Sequence, residues 1–125
     1  MDNRTGDIME KLVLTNNDIA LACDRVGTFL AKASVDRREA LRIKLTVEET
    51  LLKYQEKFGE EAVFSLRCVK RFLSLKVELV VAGESYSPLD QEDEEDVVIR
   101  GLLAGIGLAP QWNYKKGRNY VGFCP

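Results

Sequence analysis

The sequence predicts an α+β fold, a two-layer sandwich in which one mostly antiparallel sheet carries its helices on a single face. Three observations predict it. Two capped, amphipathic helical stretches follow one another early in the chain, a pair of strand-like stretches comes next, and a second strand pair closes the sequence. The resulting order, β, α, α, β, β, α, β, β, does not alternate strand with helix and so argues against a parallel sheet. A length of 125 residues, 46% hydrophobic and 30% charged, fits one compact domain over 1–125, and no internal repeat or linker divides it.

The first element is the apolar stretch Ile8 to Leu14, read as an edge strand. Thr15-Asn16-Asn17-Asp18 follows as a capping cluster, so a helix starts there. Ile19, Cys23, Val26, Leu30 and Ala33 recur at spacings of three and four, which keeps them on one helical face as far as Ala33. Ser34-Val35-Asp36 breaks the pattern. Asp36 with Glu39 three residues on has the capping-box arrangement, opening a second helix that runs to Phe58 and stops at Gly59. Leu41, Leu45, Val47, Leu51, Leu52, Tyr54 and Phe58 form its apolar arc, with Glu48 inside the arc and Glu49 at its edge.

From Ala62 the period changes. Val63 to Val69 and Phe72 to Val81 read as a hairpin, the second strand alternating cleanly through Leu73-Ser74-Leu75-Lys76-Val77-Glu78-Leu79. Gly83 to Pro88 is a turn-rich exit, and the acidic run Asp90 to Asp96 leads into a third helix carrying Val97, Val98, Ile99, Leu102 and Leu103. Gly105, Gly107 and Pro110 end that helix. Gln111 to Tyr114 and Asn119 to Phe123 flank Lys115-Lys116-Gly117-Arg118 as a terminal hairpin.

Composition removes several functional classes. With 18 Lys and Arg against 20 Asp and Glu, the net charge of -2 gives no overall pull toward a nucleic-acid backbone. The absence of histidine excludes a Ser-His triad, a Cys-His dyad and every imidazole zinc site. Cys23, Cys68 and Cys124 are widely spaced and odd in number, so they read as reduced cytosolic thiols. No apolar run reaches the ~18 residues of a membrane span, and Met1-Asp2-Asn3-Arg4 has no apolar signal core, which gives a cytoplasmic expectation.

Leu45-Thr46-Val47-Glu48-Glu49-Thr50-Leu51-Leu52-Lys53-Tyr54 resembles the second helix of the histidine-kinase-like ATPase superfamily, in particular its anti-sigma-factor-kinase branch. The family motif is a Glu that polarises water and, four residues on, an Asn that helps hold Mg²⁺ against the phosphates, both on one helical face. Glu49 matches the Glu, and Lys53 stands in place of the Asn. Leu79 to Pro88 is similar to the family's strand followed by Asp-x-Gly. Gly83, Tyr86 and Pro88 fit, but Val81 stands where an Asp would accept a hydrogen bond from the adenine amino group. Gly101 to Leu108, with Gly105 and Gly107, resembles the glycine-bearing region beside the nucleotide lid, and Asn119 resembles an Asn of the closing strand. The acidic run occupies the place of the lid, where carboxylates repel phosphates.

The resemblance thus implies the fold, with ATP and Mg²⁺ as its cofactors and Glu49, Lys53, Gly83, Tyr86, Gly105 and Gly107 as its binding positions. Read without it, Glu49 and Lys53 are an exposed i,i+4 ion pair, Lys44 neutralises Glu48, and Gly105 and Gly107 are a helix C-cap. The acidic run is a solvated first turn, and Trp112, Tyr114 and Tyr120 among Lys115, Lys116 and Arg118 are a sheet end whose charged tips discourage edge pairing. The expected function is a regulatory or protein-interaction domain without catalysis of its own on a degenerate ATP-binding fold; the alternative is an ATP/ADP sensor or a serine kinase like the anti-sigma factors. Ala109 to Gly117 also resembles the end of cytosolic segments that precede sodium/dicarboxylate-type symporters, and the strand-like run Tyr120 to Cys124 stops at Pro125 without a polar tail. Those two features give the expectation of a domain from the front of a longer chain, its partner a protein or an attached transporter domain, touching membrane only through that attachment.

Overall fold

The computed structural model describes residues 5–71, 74–88 and 111–123. Its elements are β1 (Thr5–Val13), α1 (Asn16–Lys32), α2 (Arg37–Phe58), β2 (Val63–Arg71), β3 (Ser74–Ala82), β4 (Gln111–Lys115) and β5 (Arg118–Phe123). The strands make one five-stranded sheet in the order β1-β2-β3-β5-β4, every neighbouring pair antiparallel. The α+β sandwich expected from the sequence is the fold observed. The third helix, its acidic lead and the glycines at its end, Gly105 and Gly107, lie outside the described residues.

The caps form where the sequence puts them. Thr15 Oγ1 accepts from the Asp18 amide at 3.2 Å, and the Asp18 carboxylate accepts from the Val13 amide at 2.9 Å, so the turn from β1 into α1 is tied from both sides. Asp36 caps α2 by accepting from the Arg38 amide at 3.1 Å. α2 ends at Gly59, whose φ of 88° suits glycine. Gln55, on the last turns of α2, donates to the Leu14 carbonyl at 2.8 Å and to Asn16 Oδ1 at 2.9 Å, which fastens that helix to the β1–α1 turn.

The core lies between the helices and the sheet. Phe64, Leu66, Cys68, Val77, Leu79, Val81, Val121 and Phe123 alternate inward along β2, β3 and β5 and meet Ile19, Val26, Leu30, Ile43, Val47, Leu51 and Tyr54 from the helices. The buried stripe of α2 differs from the arc expected. Leu41 and Leu45 are exposed, while Ile43, Thr46, Thr50 and Lys53 are buried. The threonines enter the core because Thr46 donates to the Arg42 carbonyl at 2.7 Å and Thr50 to the Thr46 carbonyl at 2.8 Å, so neither hydroxyl is left unsatisfied. Lys44 pairs across the helices with Asp24 of α1 at 3.7 Å, where the sequence suggested its own neighbour Glu48.

In β1 the pairing with β2 shifts register between Met9 and Leu12, and Lys11 takes a φ of 60°. This bulge lets Met9 and Leu12 both pack toward the core although three positions separate them.

Cys23 and Cys68 are free, buried thiols, and Cys124 lies outside the described residues. Burial, reinforced by the Glu48 carboxylate, pushes the Cys23 thiol from its ordinary 9.0 up to about 12. Burial also raises the Tyr54 phenol above its ordinary range. Both folded groups hold their protons more tightly than the unfolded chain does, so the stability they contribute is complete below their ordinary values, 9.0 for the thiol and 10.0 for the phenol, and is lost as pH rises above them, for Cys23 toward about 12. The urea midpoint is accordingly expected to stay level from neutrality to pH 8 and to fall steadily above the ordinary thiol value, and a Cys23→Ala variant should fall less steeply. No helix among the described residues is long and apolar enough to cross a membrane.

Candidate functional site

The chain segment leaving β3, from Gly83 to Pro88, folds against the C-terminal half of α2 and against the β4–β5 hairpin. Its position follows from backbone geometry. Lys116 and Gly117 both take positive φ, 52° and 76°, which makes the tight turn suited to antiparallel strands. The turn delivers the Gly117 carbonyl to the Gly83 amide at 3.0 Å. Gly83 itself has a φ of 145°, and a Cβ there would stand 3.1 to 3.3 Å from ring carbons of Phe58. Only glycine combines that torsion with so close an approach of backbone to ring.

Beyond Gly83, Tyr86 lies among α2 side chains. Its ring meets Tyr54 edge-on at 5.6 Å between centroids and Phe58 edge-on at 6.2 Å, while Tyr54 and Phe58 stack at 5.7 Å. The Lys57 ammonium lies 5.6 Å from the Tyr86 ring centroid. Tyr54 donates its hydroxyl proton to the Tyr86 carbonyl at 2.8 Å.

Asn119, at 0% exposure, is the hub of the arrangement. Its Oδ1 accepts from the Tyr86 amide at 2.9 Å and from the Trp112 indole at 3.1 Å. Its Nδ2 donates to the Glu84 carbonyl at 2.9 Å and to the Val81 carbonyl at 3.3 Å. Both ends of the amide are therefore engaged by the protein itself. Tyr114 adds a hydrogen bond to the Gly83 carbonyl at 2.9 Å.

Of the positions named from the sequence, Gly83 and Tyr86 come together with Asn119. Glu49 and Lys53 sit on α2 before the Tyr54–Phe58 pair, Glu49 half-buried and Lys53 only 5% exposed. Lys53 is thus a buried lysine, and the exposed setting read from the sequence for Glu49 and Lys53 is corrected: the α2 face turns inward one position earlier than the apolar pattern suggested. Val81 contributes a fully buried side chain to the core and a carbonyl to Asn119, and no carboxylate. The basic-aromatic cluster read near the C-terminus is divided by the strand pleat. Trp112 and Tyr114 hold the β3 exit through Asn119 and Gly83, and Tyr120 alternates to the other face. Sequence reasoning missed Tyr54, Phe58, Trp112 and Tyr114 as partners of this segment. The available signals were their helical and strand spacings, which read equally well as plain core.

Among the described residues no cluster of His, Cys, Asp and Glu is arranged to hold a metal ion. No protein-family model matches the sequence, and a search of curated proteins finds no match.

Proposed function

We propose that this chain is a non-catalytic regulatory or protein-interaction domain on a degenerate ATP-binding fold of the histidine-kinase-like type. The observation that carries the reading is the use made of the β3 exit. Where the resembled family presents a carboxylate to adenine, Val81 is in the core and its carbonyl receives Asn119; the neighbouring backbone groups of Tyr86 and Glu84 are bonded to the same amide. Tyr54, Phe58 and Tyr86 pack on one another beside it. A base entering there has to displace internal hydrogen bonds and stacked rings, each worth about 0.5 to 1.5 kcal/mol, without gaining a carboxylate acceptor in return.

The test is calorimetric titration of the domain with ATP and with ADP, each with and without Mg²⁺, at physiological salt. The expected result is no saturable heat at millimolar nucleotide. Saturable binding that disappears in Glu49→Ala overturns the reading in favour of a nucleotide sensor. Glu49 is the appropriate probe because it lies outside the Asn119 hydrogen-bond hub, so its loss leaves the hub's partners in place.

A further inference from the structure

The sheet face opposite the helices has a charge pattern unlike that of the chain as a whole. Directly opposed residues of antiparallel strands share a side, so Ile8, Arg67, Glu78, Gly122 and Gln111 make one row across this face. At its centre Glu78 is held from two directions, Oε1 by the Arg67 guanidinium at 3.9 Å and Oε2 by the Lys76 ammonium at 3.1 Å. The Glu78 side chain is 15% exposed, those of Arg67 and Lys76 44% and 49%, so the carboxylate is recessed and the cations stand proud of it. Arg71, Lys115 and Arg118 are exposed around them. A chain of net charge -2 therefore gathers basic groups on one face of its sheet.

The same face is grooved. A hollow of about 240 Å³ lies over Val69 between Arg67, Arg71 and Lys76. A second, of about 370 Å³, lies beyond the Lys76–Glu78 rib and is floored by Tyr120 and Gly122. The missing side chain of Gly122 keeps the second hollow open: a Cβ there would meet Lys76 Cε at 3.5 Å, an ordinary contact. The backbone does not require glycine for space at that position.

We propose that this face docks an extended acidic segment of a protein partner, its carboxylates on Arg67, Lys76 and Arg71 and its small apolar side chains in the hollows over Val69 and beside Tyr120. The proposal rests on the reading of the chain as an interaction domain. Charge complementarity selects an acidic partner and speeds its encounter. The face is a poor match for single-stranded nucleic acid, because among the described residues Tyr120 is its one aromatic platform and Glu78 lies in the path of the phosphates. Side-chain-sized hollows flanked by cations suit a peptide, which brings both carboxylates and apolar groups.

The experiment is a titration of the isotopically labelled domain, followed by amide NMR shifts, with a short peptide of Glu interspersed with Val and Ser. Oligothymidylate and phosphatidylserine vesicles are titrated in parallel. The expected result is saturable shifts at Arg67, Lys76 and Tyr120, with affinity lowered about tenfold or more in Arg67→Glu combined with Lys76→Glu. Gly122→Val, which fills a hollow without altering charge, should also weaken the peptide. Absence of shifts, shifts on another surface, or unchanged affinity in both variants overturns the proposal, as does binding of oligonucleotide or vesicle without peptide. ATP with Mg²⁺ added to the same sample separates the two readings. Shifts at Glu49 and Tyr86 overturn the non-nucleotide reading alone, whereas a silent peptide with silent ATP overturns the docking face alone.

Discussion

Asn119→Ala is expected to lower stability by about 3 to 5 kcal/mol, because it removes four hydrogen bonds at a residue with 0% exposure. The loss exceeds the worth of the bonds themselves. Truncation leaves the Tyr86 amide, the Trp112 indole and the carbonyls of Val81 and Glu84 facing a small void, and each buried orphan costs about 1 to 3 kcal/mol unless water reaches it. Part of the site is only partly buried, which admits some water and keeps the expected figure below the simple sum. Urea denaturation followed by Trp112 fluorescence checks it. Asn119→Asp should be no milder, since it loses both donors and buries a carboxylate. A loss under about 1 kcal/mol in Asn119→Ala is incompatible with the hub described here.

Gly83→Val is expected to cost about 2 to 4 kcal/mol from two separable sources. One is the φ of 145°, which side-chain-bearing residues rarely adopt; the other is the approach of the new Cβ to 3.1 Å from a Phe58 ring carbon. Gly83→Ala meets the same torsion with less bulk and should lose less. Combining Gly83→Val with Phe58→Leu should recover only the crowding component, a difference readable as coupling in a double-mutant cycle of urea midpoints. Full additivity removes the Phe58 contact from the explanation. Any ligand-binding defect of Gly83→Val is consequently a weak indicator of nucleotide chemistry, because the substitution disturbs the folded segment directly.

The parts of the fold that were legible in the sequence are those governed by local rules. Thr15 and Asp36 cap their helices because a short oxygen-bearing side chain before an apolar-periodic run has little else to do, and the strand alternation of β3 survives intact in the sheet. The inward face of α2 was misjudged for a physical reason. Hydrophobicity alone ranks Leu41 and Leu45 above Thr46 and Thr50, yet a helix lets a threonine hydroxyl bond the carbonyl one turn back and enter the core at little expense. Lys53 was likewise placed outside by its charge, although its backbone phase on α2 puts it inside. At the candidate site, Gly83, Tyr86 and Asn119 were each noticed, but their meeting depends on pairing between β3 and β5, residues far apart in sequence. No local pattern encodes that juxtaposition. Gly105 and Gly107 lie outside the described residues.

The bulge at Lys11 also interrupts the margin of the sheet. Among the described residues β1 is an outer strand of the sheet, and the amides and carbonyls along such an edge are a template for any extended chain that comes alongside. A visiting strand that begins to zip along it meets the register shift between Met9 and Leu12, loses step, and confronts a lysine where the ladder should continue. The same residue that brings Met9 and Leu12 into the core thus breaks the even spacing that an added strand needs.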